Sequence, residues 1–235
     1  MNWEFIYRVG IIEAIKGVPV SLYVTFVSLL IALPLGFLCA ITRFRRVPVL
    51  SELISVAVSF LRGTPLVVQI FIVYAGFPSI LNYMVQTFNW NFDAFSINPY
   101  VYAFFVFSLN VTATLTEVFR SALSAVGKDQ AEAARSVGLN AFQANCHIII
   151  PQALVSAIPN ICNEFLNLFK STSLVYMMTI QDITGKLRIA ASAGYNYTEA
   201  YIVIFIVYFL LGFGMEKLFQ RIENNMKRYK ALPQT

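Results

Sequence analysis

Five long apolar stretches dominate this chain, at 19–41, 49–81, 100–125, 148–169 and 200–218. At 1.5 Å per helical residue, about 20 residues match the ~30 Å hydrocarbon layer of a bilayer. Inside lipid every backbone N–H and C=O must be satisfied within the protein, so runs of this kind become helices. The expected fold is an all-α membrane protein of about five transmembrane helices, a single domain over 1–235. Composition agrees: charged residues are 12% of the chain, against about 25% in soluble domains. That leaves too little polar surface to cover a water-soluble globule.

The net charge of +5 does not indicate a nucleic-acid partner. The basic residues sit between and after the apolar runs, with no basic stripe and no nucleic-acid motif. Membrane lipid is the expected environment. Cys39, Cys146 and Cys162 are an odd, scattered set, which argues against a disulfide framework and against a metal site. Residues 1–17 contain Glu4 and Glu13 and do not read as a signal peptide. Their apolar positions alternate with Arg8, Glu13 and Lys16, so this segment is expected as a short amphipathic helix on the membrane surface. Pro19 suits the first turn of span one, and Pro34 predicts a kink. The Arg62-Gly63-Thr64-Pro65 break divides the second run, which is long for one crossing.

The loops alternate in basic residues. Arg43, Arg45 and Arg46 follow span one, and Asn82 to Pro99 contains no Lys or Arg. Lys128 and Arg135 follow span three, and Arg221, Lys227, Arg228 and Lys230 lie in the tail. The positive-inside bias then places the N-terminus outside and the C-terminus in the cytoplasm, with 127–147 and 219–235 cytoplasmic. Lys186 and Arg188 run against the pattern, and a partly re-entrant segment between spans four and five accounts for them.

In the cytoplasmic loop after span three, Asp129 can act as an N-cap with Glu132 as its capping-box partner. Ala131, Ala134 and Val137 share a face, and Gly138 is placed to end the helix in a left-handed C-cap. Two turns capped at both ends and presenting small residues look built to dock into a groove on another protein, since so short a helix is marginal alone.

Glu132-Ala133-Ala134, then Gly138, then Ile148-Ile149-Ile150-Pro151 resembles the EAA signature of the permeases of ABC importers. Phe60 to Gln69, Thr116 to Ala122 and Lys170 to Leu174 are similar to the polar amino-acid branch of that family. Within the branch, Ile158 to Ser173 and Met177 to Ile183 look most like cystine-type permeases of Gram-positive bacteria. The resemblance implies the type I importer permease fold and a multi-pass place in the bacterial cell membrane. It assigns Asp129, Glu132, Ala133, Ala134 and Gly138 to coupling with an ATPase. It also implies partners: two cytoplasmic ABC ATPases, a second permease (a second copy or a paralogue) and an extracytoplasmic substrate-binding protein. ATP and Mg are then used by the partner ATPase, and no cofactor is expected on this chain. There is no phosphate loop: Gly185-Lys186 is followed by Leu187, and Ile180 stands where the first Gly would be. No catalytic constellation appears, and His147 reads as a surface or packing residue. The chain is not expected to be an enzyme.

Charges inside apolar runs are expensive and face a bundle interior or a wet cavity. Arg62 and Glu117 are expected to pair across spans two and three, with direct substrate contact as the other reading. In span four Asn160, Asn163, Glu164, Asn167 and Ser171 recur at helical spacing, so they share one face. That face suits a zwitterionic solute, which needs both donors and acceptors. Interhelical hydrogen bonding is the competing reading. The rival function is a small cation-selective channel lined by Glu117 and Glu164.

Overall fold

The computed structural model describes residues 2–126 and 128–230; for Lys128, Asp129, Ala131 and residues 225–230 it describes the backbone alone. Among the described residues the fold is all helix, with five helices long and apolar enough to cross a membrane.

The first helix, α1 (Trp3–Phe44), is 42 residues long. The separate surface helix expected before span one does not form. Instead the N-terminal residues continue into the span through a π-turn at Ile6–Gly10, and Pro19 sits well inside the helix. The reason is burial: Phe5 and Ile6 join a core with Ile183, Leu187 and Val203. The Asn2 backbone N–H donates to Glu199 Oε1 at 2.7 Å. The buried face of α1 carries small residues at steps of three or four: Ala14, Gly17, Ser21, Thr25, Ser28, Ala32 and Gly36. Helices in lipid gain no hydrophobic drive from meeting each other, so close backbone contact over small side chains supplies the packing. At Gly17 a Cβ would lie 2.5 Å from the Ile183 Cα, so only glycine fits.

The second apolar run is broken where the sequence breaks it. The helix α2 (Leu50–Gly63) stops, Thr64 and Pro65 are extended, and α3 (Leu66–Thr87) follows. Proline lacks an N–H and forces the residue before it out of helical conformation. Gln69 repairs the gap. Its Nε2 donates to the Leu61 and Thr64 carbonyls at 2.8 and 3.2 Å, and Asn110 of the next span donates to its Oε1 at 3.3 Å.

The third span, α4 (Pro99–Ala125), starts from an Asn98 cap and forms the centre of the bundle against α1. After it come the short α5 (Lys128–Ser136) and the long α6 (Ala141–Met178), which contains the expected span four. A ten-residue helix, α7 (Ile183–Ser192), is too short to cross a bilayer and packs against α1 and α8. The last helix, α8 (Tyr197–Lys230), carries the exposed stacked row Phe205, Phe209 and Phe213.

Asp182 is fully buried and caps α7, accepting from the Gly185 N–H at 2.8 Å and from the Tyr208 hydroxyl at 3.2 Å. Tyr208→Phe leaves one carboxylate oxygen without that donor. It is expected to destabilise the fold by about 1–3 kcal/mol, read as a lower melting temperature in detergent. Gly214→Ala, where a Cβ meets nothing within 4 Å, serves as the unchanged control.

Candidate functional site

Two regions concentrate the polar chemistry: α5, at one end of the bundle, and a patch formed by the end of α2 with the middle of α4 and α6. The C-terminal end of α5 is built as the sequence suggests. Gly138 has φ +88°. The Gly138 N–H donates to the Arg135 carbonyl at 3.0 Å and the Leu139 N–H to the Ala134 carbonyl at 3.1 Å. This is the Schellman pattern that satisfies the last carbonyls of a helix.

Three expectations for α5 need correction or lie outside the description. The helix begins at Lys128, so Asp129 sits in its first turn and not at the cap; its side chain, with Ala131, lies outside the described residues. Ala134 is buried at 2% exposure while Val137 is 75% exposed, so the two do not present one outward face. Ala134 turns inward because α5 packs on the start of α6. The outward residues are Gln130, Glu132, Ala133, Arg135, Ser136 and Val137. Asn140 and Gln143 form a reciprocal capping box at the start of α6, with bonds of 2.9 Å each way. The spacing N-x-x-Q was the available signal.

The expected Arg62–Glu117 pair does not form. Glu117 is held by Arg43 of α1 and by Arg120 one turn along α4, the latter at 2.8 Å. Arg43 also donates to Ser55 Oγ of α2 at 3.2 Å. The physical reason is geometry. Arg120 is three residues from Glu117 on the same helix face, and α1, which carries Arg43, packs more extensively on α4 than any other helix does. Arg43, bonded to Glu117 of α4 and Ser55 of α2, thus ties three helices together.

Arg62 lies instead in the neighbourhood of Glu164, without an ion pair to it. It is exposed on the isolated chain, at the end of α2. Glu164 is buried at 9% exposure, and the groups acting on its carboxyl are Asn167, Thr114 and Arg62. Along α6, Asn160, Asn163 and Asn167 are exposed and Ser171 is half-buried. The structure therefore brings Arg62, Thr114, Glu164 and Asn167 together, with Asn163 and Asn160 following along the helix. A carboxyl and a guanidinium share a neighbourhood lined by amides, without an ion pair between them within 4 Å among the described residues. Thr114 and the Arg62–Glu164 approach were not legible in the sequence, because they depend on how α2 and α4 pack on α6. Among the described residues no group of His, Cys, Asp and Glu is placed to hold a metal.

Comparison with known proteins matches residues 32–228 to the family described as binding-protein-dependent transport system inner membrane component. The L-cystine transport system permease protein TcyL of Bacillus subtilis is 34% identical over 210 residues, covering 89% of this chain and 85% of that one. The nopaline transport system permease protein NocM of Agrobacterium fabrum is 32% identical, covering 88% and 84%. Among solved structures, an amino acid ABC transporter crystallised with histidines superposes with a TM-score of 0.81 at 28% identity, covering 96% of this chain and all of that one.

Proposed function

Because the chain belongs to the family of binding-protein-dependent transport system inner membrane components, we propose that it forms one wall of the pathway of an importer for a polar amino acid, with cystine the first substrate to test. It is a membrane-spanning transport subunit of an ABC transporter and is not itself an enzyme; ATP hydrolysis resides in a separate subunit. The relatives lend no support to a cation channel.

The observation that carries the substrate reading is the polar patch. Arg62 lies ~18 Å along α2 from its start, yet it is exposed on the isolated chain together with Asn160, Asn163 and Asn167. Facing lipid, such a group would cost several kcal/mol. Facing a wet pathway, it offers a guanidinium to a carboxylate and leaves Glu164 for an ammonium. Five spans make too thin a wall to enclose a pathway, so a second copy or a paralogue completes it. Two such patches suit the two zwitterionic ends of cystine. An extracytoplasmic binding protein delivers the solute, and two cytoplasmic ATPases use ATP and Mg. This chain holds neither.

Coupling runs through α5. The Schellman turn at Gly138 and the capping box at Asn140 join α5 to α6 over four residues. A displacement of α5 by the ATPase is passed to the helix that carries Glu164 and the asparagines, and alternating access follows. The expected result is that Glu164→Gln and Asn163→Leu each lower uptake several-fold in reconstituted vesicles, while basal ATPase activity and assembly stay near wild type. Unchanged uptake in both, for the best substrate in an amino-acid panel, would show that the stripe only packs helices.

A further inference from the structure

The turn between α1 and α2 borders an open cavity of about 430 Å³ that the transport pathway does not use. Arg43, Arg46 and Arg120 line it, with Ser51, Ser55 and Glu52. It lies at the end of the bundle that carries α5, since Arg120 is in the last turns of α4. Three guanidiniums meet two carboxylates, Glu117 behind the wall and Glu52 in it, so one positive charge is left over. Arg43 and Arg120 are fixed by Glu117. Arg46 has no ion-pair partner among the described residues and is exposed.

The backbone of the turn is strained in the same place. Arg46 and Val49 both have left-handed φ, 52° and 65°. For a β-branched residue this is a real outlier, and such strain gathers where a site must be held in shape. From Val49, which lines the cavity, an exposed apolar row runs up α2 through Leu53, Val56 and Phe60. Its steps of four, three and four residues keep it on one helix face. The eleven steps from Val49 to Phe60 rise ~16 Å, about half the ~30 Å hydrocarbon thickness and so the depth of one leaflet.

We propose that this cavity binds the phosphodiester headgroup of an anionic phospholipid, with one acyl chain lying along the Val49–Leu53–Val56–Phe60 row. The guanidiniums and the Ser51 and Ser55 hydroxyls supply donors for phosphate oxygens. The apolar row selects a lipid over a free anion, because inorganic phosphate has nothing to place on it. The site recruits the same phosphate-directed chemistry that basic residues at a membrane face use in general, but in a preformed pocket.

The test uses the full chain in neutral detergent, titrated with dioctanoyl-phosphatidylglycerol, dioctanoyl-phosphatidylcholine and inorganic phosphate, with bound molecules counted by native mass spectrometry. Phosphatidylglycerol should bind in clear preference to phosphatidylcholine. Arg46→Gln should weaken it about five-fold. Ser51→Ala should weaken it less. Arg45→Gln, the adjacent exposed arginine outside the cavity, should leave it nearly unchanged. Equal binding of the two lipids, or equal loss in Arg46→Gln and Arg45→Gln, would overturn the site. Inorganic phosphate binding as tightly as phosphatidylglycerol would make it a free-anion site and overturn the lipid assignment.

Discussion

Gly138→Val should abolish ATP-driven uptake while leaving insertion and folding of the membrane helices intact. The argument is conformational and not steric. Gly138 has φ +88°, and a Cβ built there would meet nothing within 4 Å. Any effect must come from the backbone. An ordinary side chain in the left-handed region costs about 1–2 kcal/mol, and a β-branched one costs more. The helix it terminates is nine residues long, near the limit of what is stable at all. A penalty of that size unwinds its last turn and breaks the bonds to Arg135 and Ala134. The expected order of uptake is Gly138→Asn near wild type, Gly138→Ala reduced and Gly138→Val lost. Asparagine is the one of the three that visits this conformation readily. Recovery of the ATPase on co-purification should follow the same order. Normal transport by the valine variant, with its ATPase bound, would remove α5 as the coupling element.

The second large effect is at Glu117. Its carboxylate serves two arginines on two helices, and removing it leaves both guanidiniums facing each other without a counter-charge. Breaking a fully buried pair costs about 3–5 kcal/mol. The Glu117 side chain is 22% exposed, so water recovers part of this, and a loss on the order of 2 kcal/mol is expected for Glu117→Ala. Folded yield and melting temperature should both fall. Adding Arg43→Gln should restore part of the loss. By contrast, Arg62→Ala and Glu117→Ala should be additive within about 0.5 kcal/mol, as for sites that share no partner. Arg62→Ala combined with Glu164→Gln should deviate from additivity. A measured coupling between Arg62 and Glu117 would reinstate the pair that the sequence suggests and the structure does not contain.

These two positions differ in how well they could be read beforehand. Gly138 follows a short polar and alanine run and precedes a new apolar segment, so its role as a helix stop is a local property. Glu117 is a charge within an apolar run, which announces that it needs a partner without saying which. Arg43, Arg62 and Arg120 were all available. The nearest in sequence, Arg120, is a partner, and Arg62, which lies inside another apolar run, is not. Arg43 follows the apolar part of span one and so reads as a loop residue, and that same place lets it reach sideways to α4.

The sequence by itself determined what depends on neighbouring residues and on the solvent. Apolar run length fixed the helices and their number, Thr64-Pro65 fixed the interruption, and Gly138 fixed the end of α5, because each is set within a few residues by hydrogen-bond satisfaction and backbone sterics. Only the tertiary structure decided what depends on which helix lies beside which. It merged residues 3–16 with span one, because Phe5 and Ile6 found a core against α7 and α8. It turned Ala134 inward, gave Glu117 to Arg43, and set Arg62 near Glu164. Each of these is a choice among long-range contacts of similar local plausibility. Helix packing at glycine-sized separations, as at Gly17 over Ile183, settles them by shape, and shape at that scale is not written in any local stretch of residues.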